Sequence, residues 1–365
     1  MAEAGTADDG TGGRRLNPPT AVIKAVRSLV EMPAGPGPRV WIAVRAALSI
    51  GAPFGVLTAL GHEDIGLQTA AGAFVALFAA DRSAAERGKV LPFVALALLA
   101  CCGLGVLLAP WPLAVALGLV AVAAVTGLLA FAFRLGPPGP VFFVLSYGLA
   151  ANITMVVDSA RLHPPLVLLA AVAGGALFSI LVALAPLLRA AERAKPVRPL
   201  GELLPGPWIG PQERELLLRI LIVAVLGTVV TVLWIDPHRA YWTVSTGVAV
   251  IGLSAVRRHS LARGLHRTVG TLVGAVLFLV ISPLGAQPAA LVLMLVVLQF
   301  CIELVVVRNY ALALVFITPL VLLISGAATG GDLVATAGER VLDTIIGSAI
   351  AVATALIHRR TRRGS

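Results

Sequence analysis

The chain has 365 residues, of which 58% are hydrophobic and 13% are charged, and its formal net charge is +10. Soluble domains contain about 45–50% apolar and about 25% charged residues, so this composition excludes an ordinary soluble protein and an intrinsically disordered one. The mean hydropathy of +0.96 indicates an all-α polytopic membrane protein.

A bilayer core about 30 Å thick requires roughly 20 apolar residues for each helical span. Twelve segments satisfy or approach that length. The first six predicted spans are 41–60, 65–80, 90–109, 111–133, 138–157 and 164–188, and the next six are 217–235, 240–256, 268–284, 288–307, 309–328 and 339–358. The division of the apolar runs 90–133 and 288–328 into two spans each stays open.

A polar, proline-rich stretch separates the two sets of spans. The predicted organisation is an N-terminal tail at 1–40, a first six-span repeat at 41–188, a linker at 189–216, a second six-span repeat at 217–358 and a basic tail at 359–365. The tail lacks the apolar core of a cleavable signal peptide. Cys101, Cys102 and Cys301 all lie in apolar runs, so we predict no disulfide framework, no metal site and no cofactor.

Lysine and arginine positions predict the orientation of the spans. The tails, the linker and the loops on one side carry 25 basic residues, whereas the opposite loops carry Arg161, Arg239 and Arg340 alone. Because basic residues concentrate on the cytoplasmic side, both termini are expected in the cytoplasm of a cell-membrane protein. The positive charge is then a topology signal, and we expect no nucleic-acid partner.

The second half of the sequence repeats polar features of the first at an offset near 175 residues. Arg45 and Arg219 lie near the start of corresponding spans, and His62 and His238 lie in corresponding turns. Two units with an even number of spans insert in the same orientation, which predicts parallel repeats with pseudo-twofold symmetry and a substrate site near their interface. The alternative is a chance alignment of two hydrophobic halves.

Motifs in the second half resemble the fusaric-acid-resistance-like (FUSC) membrane domain over about 217–358. The residues that carry the resemblance are Tyr241-Trp242-Thr243, Arg257-Arg258, and Arg267 with Gly270, Thr271 and Gly274, followed in the last span by Glu339, Arg340, Asp343, Thr344 and Gly347. The resemblance implies similarity to aromatic acid exporters and, more distantly, to plant aluminium-activated malate transporters, which are dimers of six-span units. It implies export of organic, often aromatic, acids.

Spans 2 and 8 are short and polar, and they occupy matching positions in the two halves. We predict that their hydroxyl and amide groups bind a substrate carboxylate, a role for Gln68, Thr69, Thr243, Ser245 and Thr246. Interrupted spans at matching positions are typical of binding sites in repeat-built transporters. The alternative is that the small residues allow close helix packing and the hydroxyls bond to their own helix backbone.

Charged residues within spans are costly, and they therefore point to function. Arg45 and Arg219 are candidates for a positive ring that attracts an anion, with snorkelling to lipid phosphates as the alternative. Asp343 and Glu339, four residues apart with Arg340 beside them, are candidates for proton coupling. The alternative for these two acids is a salt-bridge network that fixes the end of the helix.

A basic cytoplasmic loop is predicted before span 9. Its arginines, Arg257, Arg258, Arg263 and Arg267, are candidates for recruiting acidic substrates or binding anionic lipid, and positive-inside anchoring alone also explains them. Gly270 and Gly274 form a small-xxx-small pair suited to close helix packing, and we assign a packing role to Gly347 as well.

No phosphate-binding loop, HExxH motif or nucleophile elbow occurs in the sequence, so we predict no enzyme and no direct use of ATP. The leading hypothesis is a proton-driven secondary transporter that exports small organic acids. The alternatives are a passive organic-anion channel and a membrane scaffold in an efflux assembly. Expected partners are the organic anion, the lipid bilayer and either efflux proteins or further copies of the chain.

Overall fold

A computed structural model describes residues 23–24, 26–33, 37, 39–329 and 332–355, with the backbone alone at 257–258 and 326–329. Within these residues, twelve helices are longer than ten residues, and we number them in chain order. The first six are α1 (Val40–Ala59), α2 (Glu63–Ala73), α3 (Ala84–Leu108), α4 (Pro112–Ala132), α5 (Val141–Ile153) and α6 (Pro165–Leu184). The next six are α7 (Pro211–Trp234), α8 (Ala240–Ile251), α9 (Arg257–Ile281), α10 (Pro288–Val305), α11 (Tyr310–Thr329) and α12 (Leu333–Thr354).

Short elements connect these helices. A two-stranded antiparallel ribbon, β1 (Val156–Val157) and β2 (Ala160–Arg161), follows α5, with Val156 paired to Arg161. Single helical turns cover Ala190–Arg193 and Leu200–Leu203 of the linker, and 3₁₀ turns cover Phe74–Leu77, Ala185–Leu188, Pro237–Arg239 and Ser282–Ala286.

Local sequence explains where many helices begin. Proline occupies the first position of α4, α6, α7 and α10, where its missing N–H is not needed and its fixed φ is already helical. The helix α3 begins with a capping box in which Ser83 accepts from the Glu86 backbone and the Glu86 carboxylate accepts from Ser83. After α8, Gly252 adopts a φ of +61°, which ends that helix.

The chain is a multi-pass membrane protein. Seven helices in the described part are long and apolar enough to cross a membrane: α1, α3, α4, α6, α7, α9 and α10. The helix α5 and residues Tyr310–Ser325 of α11 are apolar but shorter. The remaining predicted spans correspond to α2 and α8, which have 11 and 12 residues, and to α12, which carries three charged residues.

One predicted loop is wrong. The segment with Arg257, Arg258, Arg263 and Arg267 forms the first three turns of α9 rather than a loop. It contains no proline, and its one glycine, Gly264, is tolerated within a helix. The predicted span begins at 268 because the preceding residues are strongly basic, but the helix itself begins at Arg257. Charged residues limit how deep a segment lies in the membrane, and they do not end a helix.

Helix packing follows the same plan in both halves. In the first half α2 packs on α1 and α6, and α3 packs on α5 and α6; in the second half α8 packs on α7 and α12, and α9 packs on α11 and α12. Between the halves, α1 packs on α10 and α4 packs on α7. One apolar core lies mainly among α3 to α8, and a second lies mainly among α1, α2 and α9 to α11. The two halves therefore share their cores.

A glycine contact recurs in each half. A Cβ added at Gly175 of α6 would lie 2.2 Å from the Thr69 carbonyl oxygen of α2. A Cβ added at Gly347 of α12 would lie 2.3 Å from the Thr243 carbonyl oxygen of α8. Only glycine permits this approach of two helix backbones, so each pair allows close contact between two helices of its own half.

Candidate anion and proton site

A buried carboxylate lies where α8 meets α12. The Asp343 side chain is buried, and the Arg239 guanidinium donates to both of its oxygens at 3.1 and 3.3 Å. The same guanidinium lies 3.5 Å from the carboxylate of Glu339, which is half exposed, and donates to the Glu339 carbonyl oxygen at 2.8 Å. Arg239 thus joins both acids that the sequence proposes for proton coupling, and an ion-pair network also holds this end of α12.

Threonines extend this network inward along α8. Thr243 Oγ1 donates to Asp343 Oδ1 at 3.5 Å and accepts from Thr231 Oγ1 of α7 at 3.1 Å. The glycine at Gly347 makes these contacts possible, because it lets α12 lie against the α8 backbone at Thr243. Close packing at Gly347 therefore also positions the Asp343 carboxylate beside Thr243.

Arg340 lies one helical turn before Asp343 on α12, and its side chain faces the protein interior. Its side chain is 5% exposed, and its guanidinium carbon lies 4.3 Å from the centroid of the Trp242 ring. Its Nε and Nη1 atoms have no hydrogen-bond partner among the described residues. An aromatic face is favourable for a cation, but it satisfies none of these donors.

A second buried guanidinium comes from α9. Arg267 is 7% exposed, donates from Nη1 to the Tyr310 hydroxyl at 2.7 Å, and donates from Nη2 to Thr246 Oγ1 at 3.5 Å. Its Nε has no partner among the described residues. Arg263 lies over the Tyr310 ring, with its guanidinium carbon 4.5 Å from the ring centroid, and it donates to the Ala249 carbonyl oxygen.

Unpartnered polar atoms concentrate along α9 and α12. Twelve buried side-chain nitrogen and oxygen atoms of the described residues lack a hydrogen-bond partner, and half of them belong to these two helices. On α12 they come from residues four apart, and the same spacing recurs on α9, so each set follows one helix face. The residues are Arg340, Thr344 and Ser348 on α12 and Arg267 and Thr271 on α9. We call these five residues the polar seam.

The polar seam contains two buried guanidinium groups that lack a carboxylate at ion-pair distance among the described residues. Neither Arg267 nor Arg340 forms an ion pair within the described part of the chain. Buried polar groups are nearly always hydrogen-bonded, and a buried charge is costly unless it is paired. Guanidinium groups donate in a planar fork that matches a carboxylate. The seam is therefore chemically suited to an anion that carries a carboxylate.

The predicted carboxylate-binding groups divide into two sets. Thr243 and Thr246 contact Asp343 and Arg267 and so belong to the site. Thr69 Oγ1 and Ser245 Oγ instead donate to carbonyl oxygens of their own helices, at Gly66 and Trp242. Gln68 is buried on α2, and its Oε1 has no partner among the described residues. A substrate role for all of them stays a prediction.

Arg45 and Arg219 occupy equivalent places but are not joined in a ring. Arg45 donates to the Ala80 carbonyl oxygen at 3.2 Å, and Arg219 donates to the equivalent Ala255 carbonyl oxygen at 3.3 Å. Arg219 is fully buried and also donates to Thr354 Oγ1 and Ser260 Oγ at 3.1 and 2.7 Å. Its guanidinium is therefore tied to neutral groups inside its own half and does not snorkel.

The predicted packing glycines of α9 lie against α11. Added Cβ atoms at Gly270 and Gly274 would lie 2.4 Å from the Ala311 carbonyl oxygen and 2.7 Å from Thr318 Cβ, which accounts for the close α9–α11 contact. The side chains of Arg257 and Arg258 lie outside the described residues.

The sequence alone did not assign a site role to Arg239, Trp242 or Tyr310. It also gave no binding role to the members of the polar seam, which are Arg340, Thr344 and Ser348 on α12 and Thr271 on α9 together with Arg267, apart from the recruiting role proposed for Arg267. One signal was available, namely the recurrence of Arg340, Thr344 and Ser348 at every fourth position, which places three polar side chains on one face of a predicted span. The partners on other helices carry no such signal, because their proximity depends on tertiary packing.

Comparisons with known proteins find a family match over the segment that contains this site. Residues 220–354 match the model of a family described as fusaric acid resistance protein-like. A relative described as the uncharacterized membrane protein YvaC of Bacillus subtilis (strain 168) is 34% identical over 131 residues, which cover 33% of this chain and 20% of the relative. The chain thus spans about a fifth of that relative's length, and no solved structure matches it. The predicted resemblance to the fusaric-acid-resistance-like family is confirmed over residues 220–354, which contain every residue of the polar seam.

Proposed function

We propose that the chain is a secondary transporter that exports small organic acids through the cell membrane and draws its energy from the proton gradient. The observation that carries the proposal is the polar seam, in which two buried guanidinium groups have no carboxylate partner among the described residues. The matching family domain supports membrane transport as the general activity.

The proposed architecture is twelve spans in two parallel six-span repeats, with both termini in the cytoplasm. Its support is the matched helix packing, the matched Gly175 and Gly347 contacts and the asymmetry of 25 to 3 in basic residues. Under this topology Arg239, Glu339 and Asp343 lie toward the outer surface, and the start of α9 lies toward the cytoplasm.

The anion step uses the polar seam. A carboxylate entering from the cytoplasmic side would accept hydrogen bonds from Arg267 and Arg340 and balance one of their two positive charges. An aromatic substrate would place its ring near Trp242 and Tyr310, which already contact Arg340 and Arg263. Offset or edge-on ring contacts contribute about 0.5–1.5 kcal/mol beyond burial, so an aromatic acid is favoured over an aliphatic acid of similar size.

The proton step uses Asp343. A proton arriving from the outer surface neutralises the carboxylate and weakens its ion pair with Arg239. Thr243 and Gly347 connect Asp343 to the α8–α12 contact, and Thr246 on α8 contacts Arg267. Protonation at Asp343 therefore reaches the anion-binding guanidinium through a single helix, which provides a route for coupling export to proton entry.

Flux of a radiolabelled aromatic carboxylate in proteoliposomes, with and without an imposed pH gradient, tests the proposal. We expect gradient-dependent flux in the wild type and loss of the gradient dependence in Asp343→Asn. Asp332→Asn is the matched control, because Asp332 is an exposed acid that caps the same helix, and we expect it to retain the dependence.

Other outcomes decide between the alternatives. Flux that depends on the membrane potential and not on the pH gradient, in both the wild type and Asp343→Asn, would contradict the transporter hypothesis and support a passive anion channel. Absence of flux over a panel of aromatic and aliphatic acids, in vesicles shown to contain folded protein, would favour a scaffold that needs an efflux partner.

A further inference from the structure

An apolar groove lies in the first half, far along the sequence from the polar seam. Its volume is about 510 Å³, and it is lined by α3, α4, Phe143 of α5 and the linker turn at Leu200–Leu203. Phe93 and Leu129 on its wall are about half exposed. Small-molecule sites commonly have volumes of about 300–1,000 Å³, so the groove is large enough for a ligand.

The wall of the groove is almost entirely apolar. Thr126 is the one polar side chain among the lining residues, and its hydroxyl donates to the Val122 carbonyl oxygen of its own helix at 2.7 Å. The other lining side chains are Val, Phe, Ala and Leu, together with Gly201. An aliphatic chain is the ligand chemistry that such a wall accepts, because burying it removes apolar surface from water.

Exposed cations stand at one end of the groove. Lys89 precedes the lining residue Val90, and Arg134 lies between the lining residues Phe133 and Leu135. Lys89 donates to the Arg198 carbonyl oxygen of the linker at 2.8 Å, and the Arg134 guanidinium lies 5.1 Å from the Trp208 ring centroid. Neither cation forms an ion pair with a described acid. The start of α3 and the end of α4 thus place two positive charges beside an apolar wall.

We propose that this groove binds an anionic phospholipid of the cytoplasmic leaflet, with an acyl chain along α3 and α4 and the phosphate at Lys89 and Arg134. The placement in that leaflet rests on the proposed topology, whereas the binding itself does not require transport. Basic pockets between membrane helices on the cytoplasmic side bind anionic headgroups, and each basic residue near the surface strengthens that binding. The linker turn closes one wall, so the lipid also fastens the connection between the two halves.

The tryptophan beside Arg134 provides a direct readout. The full chain in detergent is titrated with brominated phosphatidylglycerol or with brominated phosphatidylcholine of the same acyl chains, and the Trp208 signal is isolated by comparison with Trp208→Phe. We expect phosphatidylglycerol to quench Trp208 at a concentration at least tenfold lower than phosphatidylcholine. The double variant Lys89→Gln/Arg134→Gln should remove that preference, and Ala97→Leu, which fills the groove, should weaken quenching by both lipids.

Arg308→Gln is the matched control, since Arg308 lies exposed in the α10–α11 turn that corresponds to the α4–α5 turn of Arg134. We expect it to leave the preference unchanged. Equal quenching by the two lipids, or a preference that survives the double variant, would overturn the proposal. Because the titration measures binding without flux, a failed transport assay and a failed lipid assay are independent results.

Discussion

The helices α6 and α12 occupy equivalent places, yet their interiors differ. In each helix one glycine allows a close approach of a neighbouring helix backbone. A Cβ added at Gly175 or at Gly347 would lie about 2.3 Å from a carbonyl oxygen of that neighbour. The positions four, seven and eight residues before Gly347 carry charge, whereas those before Gly175 are apolar. The charged set is Asp343, Arg340 and Glu339, and the apolar set is Ala171, Leu168 and Val167.

Under the proposed function, the first half provides a packing frame and the second half adds the groups that bind the anion and the proton. Leu168 is 1% exposed and belongs to the apolar core, whereas Arg340 is 5% exposed with unpartnered donors. An apolar side chain at the equivalent place packs well, so the fold does not need a charge there. We therefore expect the charge at Arg340 to lower the stability of the resting protein, as functional groups commonly do.

The sharpest test replaces Arg340 with the kind of side chain that the first half uses. We expect Arg340→Met to weaken organic-anion affinity about 10- to 150-fold, because a charge-assisted hydrogen bond contributes about 1.5–3 kcal/mol. The same variant should raise the melting temperature without substrate, since it removes an unpaired buried charge. Substrate-concentration series in proteoliposomes and thermal unfolding in detergent provide the two measurements.

Leu168→Met is the control for that substitution. It conserves volume at the equivalent position, so it should cost less than about 1.5 kcal/mol and leave anion affinity unchanged. A lower melting temperature for Arg340→Met together with unchanged affinity would mean that Arg340 is a structural cation, and the proposed site would fail.

The sequence predicted the frame more completely than the site. All twelve predicted spans overlap a helix, because the length of an apolar run is a local signal. The partnership of Arg239 with Asp343 joins residues 104 apart in the chain, and the contact of Arg267 with Tyr310 joins residues 43 apart. No local pattern encodes such pairs, which depend on how α8, α9, α11 and α12 cross.

The glycine contacts offer a second way to separate frame from chemistry. Gly347→Ala and Gly175→Ala each force two helix backbones apart, and we expect each to lower stability by about 1–3 kcal/mol. Only Gly347→Ala also displaces Thr243 from Asp343, so it alone should reduce gradient-dependent flux, by several-fold per folded molecule. Chemical unfolding and flux normalised to folded protein provide the comparison. Equal loss of flux in both variants would show that the frame, rather than the half with the charges, limits transport.

The smallest expected effect concerns the choice of substrate. Trp242 lies 4.3 Å from the Arg340 guanidinium, and a cation–π contact contributes about 0.5–2 kcal/mol. Trp242→Leu should therefore weaken binding of all anions a few-fold by loosening Arg340, and it should weaken aromatic acids more than aliphatic acids because a ring contact is also lost. Trp242→Phe keeps an aromatic face and should restore most of the aromatic preference. Competition of an aromatic and an aliphatic carboxylate for the same labelled substrate measures that preference. If the ratio of the two affinities is the same in Trp242→Leu as in the wild type, the Trp242 ring contacts Arg340 and does not contact the substrate. Aromatic selectivity must then come from other residues of the site.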